Sequence, residues 1–171
     1  MWIRDALPKA LPNVRAVLFG YDTTLINSNS FQTIGDLALS FIDNLKASGF
    51  ASLGMKPLIF LAHSLGGIVF KEALVALANG GDREQQILRH VVGGVLFGVP
   101  SRGMQTQALM TMVRGQPNEG LVRNLTTASE YLRSLDGQFS RVVRQGRMEL
   151  FWAYETRTSP TVAVSASFPK V

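Results

Sequence analysis

The apolar positions of this chain follow two patterns that alternate along it. Largely apolar runs at 14–21, 57–62, 91–97 and 148–154 are too short for helices and predict strands of the kind buried in parallel sheets. Between them, apolar residues recur at helical spacing. Ile34, Leu37, Phe41 and Leu45 predict a helix over 31–48, preceded by a polar loop at 27–30 and placed to end at Gly49. Residues 66–78 are apolar nearly all round, with Lys71 and Glu72 as the main polar break, so that helix must be mostly buried. Residues 104–113 and 118–125 predict two short helices separated by Gly115 and Pro117. Leu132, Leu135, Phe139 and Val142 stripe a longer helix over 128–144, opened by a capping box from Thr127 to Glu130. Residues 1–13, which contain Pro8 and Pro12, predict an irregular lead-in, the short polar segment 82–89 leads into the third run, and 161–164 predict a fifth strand. This alternation predicts an open, mostly parallel α/β sheet flanked by helices. No internal repeat and no linker divides residues 1–171, so they predict a single domain.

Composition narrows the function. A hydrophobic content of 46% with 17% charged residues describes a packed globule rather than a disordered chain. The net charge of +5 raises nucleic acid as a partner, but the arginines are scattered. The loose cluster Arg141, Arg144 and Arg147 lacks interleaved aromatics and reads as a solvated helix face, so no nucleic-acid partner is expected. With no cysteine there is no disulfide framework and no thiol nucleophile. No ligand cluster or Gly-rich phosphate loop points to a metal or a cofactor. The residues after Met1 do not form a signal peptide, and no apolar run is long enough to span a bilayer. The expected location is therefore intracellular, either cytoplasmic or peripherally on a membrane.

In open parallel sheets, ligands bind beyond the carboxyl ends of the strands. Asp22, Ser64, the loop 98–103 and Glu155 meet that rule. Ala62-His63-Ser64-Leu65-Gly66, lying between a strand and a helix, fits the nucleophile elbow of serine hydrolases. Small flanking residues let the sharp turn lift the serine hydroxyl above the sheet, and Gly67 extends the close strand–helix approach. A serine needs a histidine to take its proton and a carboxylate to orient that histidine. In such hydrolases the acid follows the serine, which makes Glu155 the candidate acid; Asp22 precedes Ser64 and suits the capping of its own loop. No base is evident. His63 adjoins Ser64 and points away from it, and His90 belongs to the opposite edge of the sheet. Met104, Met110 and Met112 read either as a lid over an apolar groove or as ordinary core.

The motifs 2–8, Phe19-Gly20-Tyr21-Asp22, 59–67, 96–103 and Tyr154-Glu155-Thr156 together resemble the α/β-hydrolase superfamily. Within it they resemble lipase-like proteins of the serine active site-containing family and hydrolase domains of fungal multidomain proteins. The resemblance implies a three-layer α/β-hydrolase fold, Ser64 as nucleophile, and a small ester or lipid-like acyl substrate. Three departures accompany it. Val99-Pro100-Ser101-Arg102-Gly103 stands where the family reads Thr-Pro-His-Arg-Gly. The family's upstream strand and His-Gly loop fall ahead of Met1, which leaves the Leu65 N–H as oxyanion donor, and its catalytic histidine falls beyond Val171. The resemblance thus implies a partial, truncated domain, with an exposed sheet edge open to self-association. Two readings follow: a serine ester hydrolase, or a catalytically inactive hydrolase-fold module kept for interaction or sensing.

Overall fold

The computed structural model describes residues 2–49 and 56–154. Its sheet has three parallel strands in the order β1 (Leu58–His63), β2 (Val91–Phe97), β3 (Glu149–Ala153). The register sets Phe60 beside Gly94 and Gly94 beside Leu150, with Leu61, Val95 and Phe151 forming the next row. Short helices α1 (Trp2–Asp5) and α2 (Leu7–Ala10) open the chain, followed by α3 (Ile34–Ala47). Helix α4 (Leu65–Asn79) is the centre of the molecule, and α3 and α8 (Glu130–Gly146) both pack against it. Ile68, Val69, Phe70, Ala73, Leu74 and Leu77 of α4 are buried in one cluster with Leu37 and Ile42 of α3 and Leu132, Leu135 and Phe139 of α8. Helices α5 (Asp82–His90), α6 (Gln107–Val113) and α7 (Glu119–Arg123) complete the described elements.

Several expectations need correction. Segment 14–21 forms no strand; Val14, Val17 and Leu18 are more than half exposed. An apolar run becomes a strand only with a neighbour within about 4.8 Å to complete its hydrogen bonds, and among the described residues none flanks this segment. It is held instead by rings: Phe19 lies 5.0 Å from Phe41, and Phe41 lies 5.6 Å from Phe60. The polar segment after α4 is helical, with Asp82 and Glu84 in its first turn, Arg89 in its last and only Ile87 buried. The lead-in at 2–10 is likewise two single turns, with Pro8 in the first turn of α2. Ser129, not Thr127, caps α8 by accepting from the Leu132 N–H at 3.2 Å. The capping box lies at α3, where Thr33 and Asp36 bond reciprocally.

The three-layer expectation is met only in part. Among the described residues helices cover one face of the sheet. The other face carries Ile59, Leu61, Phe97 and Phe151 with 42–67% of their surface open. The expected strand at 161–164 and the candidate acid Glu155 lie outside the described residues.

Candidate active site

Strand β1 ends at His63 and helix α4 begins at Leu65, so Ser64 alone makes the turn. Its backbone sits at φ 51° and ψ −125°, a region that L-residues enter only when their surroundings enforce it. The enforcing contacts are visible. The Ser64 N–H donates to the Phe97 carbonyl at 2.9 Å, tying the turn to the end of β2, and the Ser64 carbonyl accepts from the Gly67 N–H at 3.0 Å. A serine at the start of a helix ordinarily caps it with its hydroxyl. Here the Ser64 side chain makes no cap bond. The half-buried hydroxyl is thereby left for other chemistry, at the positive end of the α4 dipole and next to the Leu65 N–H.

Gly67 explains how the neighbouring loop comes so close. A Cβ there would lie 2.1 Å from Val99 Cγ2, so only glycine admits the loop 98–103 against the first turn of α4. One helical turn further on, Lys71 grips the same loop. Although it is the polar break in an otherwise apolar helix, Lys71 is 1% exposed. Its ammonium donates to Ser101 Oγ at 2.8 Å and to Asp136 Oδ1 of α8 at 2.7 Å. It also lies about 5 Å from the ring centroids of Phe139 and Trp152. Positions 67 and 71 lie one turn apart on the same helix face, so both meet the loop 98–103.

Asp22 lies at the carboxyl end of segment 14–21, where it accepts from the Thr24 N–H at 2.8 Å. Hydrogen bonds from the Thr24 hydroxyl and backbone hold its carboxyl below the usual carboxylate range. Leu65, the first residue of α4, lines a cavity of about 60 Å³ together with Asp22 and Asn118. Asn118, which no sequence motif marks, is buried and donates to the carbonyls of Thr24 and Leu25, each at 3.0 Å. Tyr21 approaches the helix start from the same side; its hydroxyl would lie 3.5 Å from a Cβ at Gly66, and burial pushes its pKa up. Met104 packs on the core and pairs with Thr126, so the core alternative holds for it; Met110 and Met112 lie within α6 and are partly buried.

His63 ends β1 on the same face as Ile59 and Leu61, the face that no described helix covers. His90 precedes Val91, which pairs with Leu58, whereas Phe97 pairs with His63. His90 is therefore at the amino end of the sheet, roughly 20 Å from Ser64 by strand rise. Its Nδ1 lies 2.9 Å from the Gln86 carbonyl. Among the described residues no helix is long and apolar enough to cross a membrane.

These features define a mixed α/β protein with a small parallel sheet and a serine on a strained strand-to-helix turn at the sheet's carboxyl edge. The chain is similar to Protein SERAC1 of Danio rerio, with 26% identity over 160 residues. It is also similar to the Mus musculus and Homo sapiens proteins of that name, at 24% and 23% identity. Each match covers 91% of this chain and 24% of the relative, so the chain spans about a quarter of their length. No protein-family profile matches the chain, and no solved structure does.

Proposed function

We propose that this chain is part of a serine ester hydrolase domain of the α/β-hydrolase type, acting on carboxylic esters or lipid-like acyl groups. The observation that carries the reading is the Ser64 turn. A non-glycine residue at φ 51° and ψ −125°, between a parallel strand and a buried helix and making no cap bond, supports reading the turn as a nucleophile elbow. In this reading Ser64 Oγ attacks the acyl carbonyl carbon and the C–O double bond opens to a tetrahedral oxyanion. The Leu65 N–H stabilises that charge at the helix start. Collapse expels the alcohol and leaves an acyl-serine, which water then hydrolyses. Glu155 retains its proposed role as the carboxylate that orients a base. Ser64 must lose a proton in the first step, and neither His63 nor His90 is placed to take it.

That displacement of both histidines favours a second reading, a hydrolase-fold module without catalysis that serves in interaction or sensing. One comparison separates the two: hydrolysis of a short-chain p-nitrophenyl ester and labelling by a fluorophosphonate, each with the natural chain and with Ser64→Ala. Labelling and turnover that vanish in Ser64→Ala support the hydrolase. Equal background in both proteins supports the inactive module.

A further inference from the structure

Residues 104–125 make an excursion from the chain that closes on itself. At its base the Met104 N–H donates to the Leu125 carbonyl at 2.8 Å, and Met104 pairs with Thr126. Gly103 permits that crossing: its φ is +82°, and a Cβ there would lie 2.2 Å from the Thr126 carbonyl oxygen. Beyond the base, α6 packs on α7. The turn between them is held from within, the Gly115 N–H donating to Glu119 at 2.8 Å and Gln116 donating to the Met112 carbonyl. The core divides at the same place. Val113 and Val122 are 0% and 1% exposed, yet neither belongs to the cluster around α4, which Leu121 alone of α6 and α7 reaches. Buried apolar residues set apart from the main core, under an excursion closed at its base, mark a region that opens separately from the rest of a fold.

Three hydrogen bonds fasten this unit to the loop at 24–28. Asn118 donates to the carbonyls of Thr24 and Leu25, each at 3.0 Å, and the Gln116 side-chain oxygen accepts from the Ser28 N–H at 3.1 Å. The fastening carries a cost of its own. The two donated bonds fix the orientation of the Asn118 amide, because turning it over would set its oxygen against two carbonyl oxygens. Its Oδ1 is thereby shut away from water, and among the described residues it has no hydrogen-bond partner. A buried acceptor left unpaired opposes the closed arrangement, and lifting Asn118 off the loop returns that oxygen to water. The latch therefore holds less firmly than its three bonds alone would.

We propose that residues 104–125 are a flap that opens as one unit about the crossing of Met104 and Thr126, with Asn118 and Gln116 as its latch. Asn118, Leu121 and Val122 of the flap line the cavity of about 60 Å³ together with Leu37 and Leu65, so opening uncovers the first turn of α4. The motion does not require Ser64 chemistry. Only the further step, that opening admits an acyl group to Ser64, rests on the hydrolase reading above.

The test is amide hydrogen exchange of the full chain, natural and with Asn118→Asp, read by mass spectrometry. Asn118→Asp keeps the size of the side chain and sets a carboxylate oxygen where the donor faced two carbonyls, so it disfavours the closed flap. In the natural chain, α6 and α7 are expected to exchange together and about tenfold or more faster than α4. Asn118→Asp is expected to speed α6 and α7 by about tenfold again while α4 keeps its rate. Gln116→Ala removes one latch bond and leaves Asn118 in place; a smaller increase in the same two helices is expected, and this variant keeps the test valid if Asn118→Asp does not fold. Trypsin cleavage after Arg114, exposed between α6 and α7, is expected to rank the proteins in the same order. Exchange of α6 and α7 at the α4 rate, separate rates for the two helices, or equal acceleration of α4 in the variants would each overturn the proposal. Fluorophosphonate labelling of Ser64 reads the further step by itself: faster labelling in Asn118→Asp supports it, and equal labelling removes it. A chain that labels in neither form removes the hydrolase reading and leaves the flap to the exchange rates.

Discussion

Ser64 carries strain that its surroundings impose, and the effect of that strain on stability is measurable. Glycine tolerates positive φ without steric penalty, so Ser64→Gly is expected to be more stable than Ser64→Ala by about 1 kcal/mol in chemical denaturation. A Ser64→Gly chain no more stable than Ser64→Ala would remove the claim that the turn is strained. Gly67 makes the complementary case. Adding a methyl group there forces Val99 away, and Gly67→Ala is expected to lose ~1–3 kcal/mol. Because the clash is with the Val99 side chain, combining Gly67→Ala with Val99→Ala should recover part of that loss. A double-mutant cycle showing simple additivity would mean that the loop does not rest on this glycine.

At the scale of elements, α4 joins the sheet, the loop 98–103 and α8 through one buried cation. Lys71 is 2% exposed at its side chain while Asp136 is 49% exposed, so the two halves of the pair are not equivalent. Asp136→Asn leaves a buried ammonium without counter-charge, a situation that costs about 3–5 kcal/mol. Lys71→Met retains the stem that packs near Phe139 and Trp152 and leaves a carboxylate that water reaches. Asp136→Asn is therefore expected to lower the unfolding midpoint more than Lys71→Met, and the reverse order would show that the pair contributes little. Helix α3 gives a pH prediction. The Thr33 N–H and hydroxyl hold the Asp36 carboxyl below its ordinary value. A carboxyl with a lower pKa in the folded chain stabilises above its unfolded pKa, and that contribution fades as pH falls below about 4. Asp36→Asn should accordingly flatten the acid limb of thermal stability between about pH 5 and 2. A variant that follows the natural chain over that range would exclude Asp36 as a contributor.

Over the whole molecule, the most consequential feature is the uncovered face of the sheet. Ile59 is 67% exposed, Leu61 51% and Phe151 64%, and parallel sheets ordinarily have both faces covered. The chain in isolation is expected to self-associate with rising concentration, and Leu61→Lys with Phe151→Lys should shift light scattering toward the monomer mass. A natural chain that stays monomeric across the concentration series would show that this face tolerates water. The three strands, the central helix and the serine turn are legible in the sequence because each rests on pattern within a dozen residues: an apolar run, a buried helical stretch, small residues around Ser64. The short helix α5 was not, since its single buried residue, Ile87, sets no period.

The sequence by itself determined that strands and helices alternate, that α4 is buried, and that Ser64 stands between a strand and a helix. Those properties follow from local spacing and side-chain volume. Only the tertiary structure decided that, among the described residues, no strand lies beside segment 14–21, that Lys71 closes on Ser101 and Asp136, and that Asn118 Oδ1 is left without a donor. Each of these depends on a partner tens of residues away, and neither an apolar run nor a lone polar residue records which partner the chain will bring to it.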